Sequence, residues 1–139
     1  MTPTLSVIAP IFNEAESIGP FLQRLLPVLD GLDQSYEILF VNDGSTDDSL
    51  ARLMEHQKRL PTLRVLDLSR NFGKEAALTA GLDHARGQAV IPIDCDLQDP
   101  PELIPELVRR WREGAEIVRA QRDERPGDGW TKRLSAAMF

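Results

Sequence analysis

Short apolar, β-rich runs alternate along this chain with segments of helical periodicity, and a polar cluster follows each run. The runs are residues 5–10, 36–41, 63–68, 89–93 and 115–120. Between the first two, Ile18, Phe21, Leu22, Leu25 and Leu26 recur at helical spacing, and Leu50, Leu53, Met54 and Gln57 repeat the pattern after the second. Residues 75–86 form a third helix with Ala76, Ala77, Ala80 and Gly81 as a small, close-packing face. Residues 101–113 form a fourth, with Pro101 at a tolerated first-turn position. Continuous apolar strands joined through helices by short connections predict an α/β domain, a mainly parallel sheet with helices on both faces. Pro27 is expected to kink or end the first helix, and Asp47 or Ser45 to cap the second. Residues 122–129 read as a mobile loop, and residues 130–139 as the start of a further helix.

In such sheets ligands bind beyond the carboxyl ends of the strands. Asn13-Glu14, Asn42-Asp43, Arg70-Asn71, Asp94-Cys95-Asp96 and Gln121-Arg122 all fall at such ends. A chain of 139 residues is long enough for one domain with a real core. No apolar run approaches the roughly 20 residues that span a bilayer, and the N-terminus lacks the basic and apolar regions of a signal peptide. Cys95 is the single cysteine, so an internal disulfide is excluded and a reducing, cytosol-facing compartment is expected. A net charge of -6 argues against a general nucleic-acid binder. The basic residues gather late, in Arg109, Arg110, Arg112, Arg119, Arg122, Arg125, Lys132 and Arg133; for the first three a solvated helix face is the simple reading.

The most telling cluster is Asp94-Cys95-Asp96-Leu97-Gln98-Asp99-Pro100-Pro101-Glu102. Two carboxylates one residue apart at the end of a buried strand are costly unless positive charge sits between them. Mg²⁺ or Mn²⁺ on a ligand's phosphates would supply it. A lone Asp-x-Asp is common by chance; its place at a strand end is what gives it weight. Cys95 points away from the two acids by strand alternation and reads as a packing residue. No second Cys or suitably spaced His pair supports a zinc site. Asp43 leaves a buried strand just before Gly44, which lets a ligand approach, and its acceptor-only carboxylate suits a uracil or guanine N–H. Asn13 and Glu14 offer an amide and a carboxylate to a base or ribose, or simply a helix start favoured by the dipole. Asn71-Phe72-Gly73-Lys74 lacks P-loop spacing, yet a glycine and a lysine at a helix start can still meet phosphate.

Taken together, Pro10-Ile11-Phe12-Asn13-Glu14, Asn42-Asp43-Gly44-Ser45-Thr46-Asp47, Asn71-Phe72-Gly73-Lys74 and the Asp94–Glu102 stretch closely resemble inverting family 2 glycosyltransferases of GT-A, Rossmann-like fold. Within these the chain is most similar to the polyprenyl-phosphate glycosyltransferases, the dolichol-phosphate mannose synthase-like branch. The resemblance implies that Pro10, Asn13, Glu14, Asp43, Lys74 and Asp94 bind the nucleotide. It implies that Asp94, Asp96 and Gln98 hold Mg²⁺ or Mn²⁺, with Asp96 and Arg122 catalytic. Arg122, Lys132 and Arg133 would grip the acceptor phosphate. The implied donor is a UDP- or GDP-linked sugar, the acceptor a polyprenyl phosphate, and the place the cytoplasmic face of a membrane. Members of this branch continue past this point into further acceptor-site residues and transmembrane helices, so residues 1–139 read as the donor-binding part of a longer protein. A hydroxyl acceptor would require a general base, for which Asp99 is the one candidate. That reading, a transferase acting on a saccharide hydroxyl, stands as the alternative, beside a nucleotide-binding module without catalysis. Trp130, Leu134, Met138 and Phe139 on an exposed helix would favour a homo-oligomer.

Overall fold

A computed structural model describes residues 2–114 in full and residues 117–122 and 130–137 as backbone. The chain divides into two units, Met1–Asp99 and Pro100–Phe139. In the first, β1 (Leu5–Ile11), α1 (Ala15–Asp30), β2 (Tyr36–Asn42), α2 (Ser49–Arg59), β3 (Leu63–Asp67), α3 (Lys74–His84) and β4 (Ala89–Pro92) follow one another. The strands form one parallel sheet in the order β3-β2-β1-β4. β1 is buried along its whole length, as a central strand covered on both faces must be.

The two faces can be read from adjacent residues of β2, whose side chains alternate. Phe40 meets Phe21 of α1 edge to face, ring centroids 6.0 Å apart. Val41, on the opposite face, joins Ile8 and Ala77 of α3 in a buried cluster flanked by Leu66, Leu78 and Val90. α3 lies very close to the sheet: a Cβ on Gly81 would stand 2.5 Å from Ile8 Cγ2. The small face therefore exists, built from Ala77 and Gly81, while Ala76 is exposed.

Pro27 does not end α1, which runs on to Asp30 with Pro20 also inside it. Both prolines face solvent, whereas Ile18, Phe21, Leu22, Leu25 and Leu29 stay buried. The missing N–H groups thus fall on the side where helix hydrogen bonds are already longest, and the buried stripe continues past them. Met54 is exposed, so the inner side of α2 rests on Leu53.

In the second unit a 3-10 turn (Pro101–Leu103) leads into α4 (Ile104–Arg112). Glu106 pairs with Arg109 and Arg110, and Glu113 with Arg109, which is the solvated charged face expected of these arginines. The fifth apolar run becomes β5 (Ile117–Arg122), but it is no part of the parallel sheet. It pairs antiparallel with β6 (Trp130–Ala137), the segment expected to be helical. A helix of that length is marginal by itself, and a neighbouring strand satisfies the same backbone groups by a ladder. The loop expected over 122–129 lies, beyond Arg122, outside the described residues. Among the described residues no helix is long and apolar enough to cross a membrane.

Candidate functional site

The chain steps outward from β1 through β2 to β3, then returns to the other side of β1 as β4. The loops after β1 and β4 therefore diverge, and such a switch point opens a crevice at the carboxyl ends of the strands. A cleft of about 430 Å³ lies there. The end of β1 contributes Pro10 and Ile11 and the loop after it Phe12 and Glu14; Asp43 follows β2; the loop before α3 adds Asn71 and Gly73, and the start of α3 Lys74; the turn after β4 adds Asp94, Asp96 and Gln98.

Asp43 is 3% exposed and firmly held. Its Oδ1 accepts the Phe72 N–H at 2.8 Å and its Oδ2 the Gly73 N–H at 3.1 Å, while Asn71 Nδ2 donates to its backbone oxygen at 3.2 Å. The carboxylate so moulds the loop before α3 while keeping lone pairs free for the cleft. Gly44, at φ +71°, makes this possible, because a Cβ there would stand 2.2 Å from the Asn71 nitrogen. The close approach that this glycine permits is by the chain's own backbone, not by a ligand.

Asn13 does not line the cleft. At φ 51° it turns its Oδ1 toward the next loop, accepting the Thr46 N–H at 2.7 Å and the Asp47 N–H at 3.2 Å. Its own N–H donates to Ser45 Oγ at 3.0 Å, and the Glu14 N–H to Ser49 Oγ at 3.1 Å. Asp47 completes the lacing. Its Oδ1 accepts the Ser49 N–H at 2.9 Å, as the first turn of α2 requires, and its Oδ2 the Ala15 N–H of α1 at 3.3 Å. The Ser49 hydroxyl, against the effect of burial, holds its carboxyl below the usual aspartate range.

The acids after β4 stand on a turn closed by Leu97 at φ 66°. The Asp94 N–H donates to Asp99 at 3.2 Å, and the Gln98 N–H to Asp96 at 3.1 Å. Lys74 Nζ lies 2.8 Å from both oxygens of Asp94. That hydrogen bond, opposed by burial and assisted by the charges of Asp94, Asp99 and Asp96, holds the ammonium above its usual pKa. Cys95 is buried and donates its S–H to Glu14 Oε2 at 3.3 Å. Burial first, then the Glu14 charge, pushes its thiol far up, which suits a packing residue and not a nucleophile.

Four carboxylates, Glu14, Asp43, Asp94 and Asp96, thus line the cleft against one cation, Lys74, among the described residues. A diphosphate could enter only with further positive charge. Among the described residues no group of three or more His, Cys, Asp or Glu is arranged to hold a metal ion. Mg²⁺ and Mn²⁺ nevertheless bind through one or two carboxylates plus substrate phosphates, and the hard oxygen donors of Asp94, Asp96 and Gln98 suit them. Ile11 and Phe12 are cleft residues to which the sequence pattern gave no role of their own, whereas Asn71 and Gly73 stood in the Asn71-Phe72-Gly73-Lys74 stretch that it did single out. The side chains of Arg122, Lys132 and Arg133 lie outside the described residues; their backbones are in β5 and β6.

The family model for glycosyl transferase family 2 matches residues 6–138. An uncharacterized glycosyltransferase of Synechocystis is 52% identical over the whole chain, which spans 44% of that protein. The bactoprenol glucosyl transferase of Shigella phage SfV is 45% identical over 97% of the chain and 44% of its own length. The chain thus spans less than half of these relatives. Among solved structures, the mannosyltransferase PcManGT of Pyrobaculum calidifontis, in complex with GDP-Man and Mn²⁺, matches 88% of the chain and 36% of its own. At a TM-score of 0.68 and 23% identity it shows the shared GT-A fold.

Proposed function

The chain belongs to glycosyl transferase family 2, and on that premise we propose that its protein moves a sugar from a UDP- or GDP-linked donor to a polyprenyl phosphate, inverting the anomeric centre. The observation that carries this is the cleft at the β1–β4 switch point, where Asp43, Lys74, Asp94, Asp96 and Gln98 converge. Support for the acceptor comes from the bactoprenol glucosyl transferase relative. Such an acceptor puts the reaction at a membrane surface, at its cytoplasmic face on this reading.

Asp43 and Glu14 read the nucleoside along the floor made by Pro10 and Ile11. Asn13 serves the same end indirectly, by holding the loop that carries Glu14. Lys74 meets the diphosphate. Asp94, Asp96 and Gln98 would hold Mg²⁺ or Mn²⁺, which when bound neutralises charge on the leaving diphosphate. Arg122, with Lys132 and Arg133, positions the acceptor phosphate. A phosphate monoester with a second pKa of about 6 is largely a dianion at neutral pH, so its oxygen attacks the anomeric carbon without a general base. The Asp99 carboxylate, which a hydroxyl acceptor would need as base, is engaged with the Asp94 N–H.

Calorimetric titration of UDP and GDP into the chain, with and without Mn²⁺, tests the donor site. Metal-dependent binding of one diphosphate, lost in Asp96→Ala, is expected. A folded chain that binds neither would overturn the site assignment.

A further inference from the structure

Lys74 opens α3 and reaches across the cleft to Asp94, its ammonium 2.8 Å from each carboxylate oxygen. The two partners are held unequally. Asp94 is anchored on its turn by its N–H to Asp99 and its side chain is 30% exposed, whereas the Lys74 side chain is 61% exposed, an ammonium on a four-carbon stem with many rotamers. No other residue lining the described cleft carries positive charge, so Lys74 is the counter-ion that allows Glu14, Asp43, Asp94 and Asp96 to share one crevice.

From this pairing we propose that Lys74 is an internal cation that occupies Asp94 until nucleotide arrives, making divalent-metal binding depend on the nucleoside diphosphate. The proposal rests on the reading of the cleft as a diphosphate site. A metal ion alone must displace an ammonium that makes charge-assisted hydrogen bonds to both oxygens of its ligand, and then bear that ammonium close by. A diphosphate changes the exchange. Its oxygens offer the compact ammonium a new set of acceptors, and Asp94 is released to the metal as Lys74 swings onto phosphate. Each ligand then favours the other by the same factor, because such coupling is reciprocal. Asp96 accepts the Gln98 N–H in its own turn and, among the described residues, forms no ion pair with a cation, so it needs no such release.

Free Mn²⁺ followed by electron paramagnetic resonance would measure metal affinity in the whole chain, with and without saturating UDP or GDP, for wild type, Lys74→Met and Lys74→Arg. Lys74→Met should bind Mn²⁺ about tenfold more tightly than wild type without nucleotide and no more tightly with it, so that the metal–nucleotide coupling collapses. Lys74→Arg keeps a cation on Asp94 and should behave as wild type. An equal gain with and without nucleotide would mean a general charge effect and would overturn the proposal. So would an unchanged affinity in Lys74→Met, while nucleotide-dependent Mn²⁺ binding would leave the diphosphate site standing. If no form binds Mn²⁺ even with nucleotide, the metal site and the proposal fall together.

Discussion

Asn13 and Thr46, 33 residues apart in sequence, are joined by a 2.7 Å hydrogen bond from the Thr46 N–H to the Asn13 side-chain oxygen. The loop after β1 and the loop after β2 are thereby one structure, and the cleft wall carrying Glu14 is set by the position of Asp43's neighbours. Asn13→Ala removes the acceptor and leaves at positive φ a residue that tolerates the left-handed region less well than asparagine does. A loss of about 1–2 kcal/mol is expected in urea unfolding. Asn13→Asp keeps the acceptor and should recover most of it. Equal losses in both variants would dismiss the lacing.

Gly81 is a second point where α3 position is decided. A β-carbon there meets Ile8 at 2.5 Å, so Gly81→Ala should cost about 1–3 kcal/mol by overpacking. The nearest atom is Ile8 Cγ2, which Ile8→Val would keep, so the partner is trimmed with Ile8→Ala; in that background Gly81→Ala should cost less than in the wild-type chain. A double-mutant cycle with no coupling would show that the helix simply moves away.

The pH dependence of stability should carry the mark of Glu37, which lies far from the cleft at the start of β2. Burial alone would raise its pKa. The Ser6 hydroxyl at 2.6 Å, the Arg86 N–H at 2.7 Å and Arg64 outweigh burial and hold it below the usual glutamate value. A carboxyl lowered in the folded state stabilises above its unfolded pKa of about 4.3 and loses that contribution as pH falls through the lower folded value. Urea midpoints should therefore fall in acid below about pH 4, and Glu37→Gln should be less stable at neutral pH with a shallower acid limb. Parallel pH profiles for the two proteins would remove Glu37 from the explanation.

Cys95 should resist thiol reagents in the native chain. It is 1% exposed, and burial together with Glu14 disfavours the thiolate. Reaction with a disulfide reagent at neutral pH should be slower than in urea by about a hundredfold or more, set by the unfolding equilibrium. Rapid native labelling would mean that the Glu14 wall of the cleft opens readily.

Much of this architecture is written locally. The β-rich runs that became β1 to β4 are apolar because both faces of a parallel sheet are covered, and that requirement shows in any window of a few residues. The acids at the strand ends, Asp43, Asp94 and Asp96, are visible for the same reason: charge directly after a buried run has few structural uses. Residues 130–139 misled because periodicity is a weak signal over one short segment, and β5 decided the conformation by offering a ladder. Asn13 was legible as a polar residue at a strand end, but its direction was not.

The amino-acid sequence by itself determined the order of strands and helices from β1 to α4, the parallel sheet and the crevice where its acids collect, since each follows from burial and spacing along the chain. Only the tertiary structure decided which partners those acids and amides chose: Asp43 with the Phe72 and Gly73 N–H groups, Asn13 with Thr46, Asp94 with Lys74. A hydrogen bond is made with whatever donor or acceptor lies within about 3 Å, and proximity between residues 20 or more apart in sequence exists only once the sheet has formed.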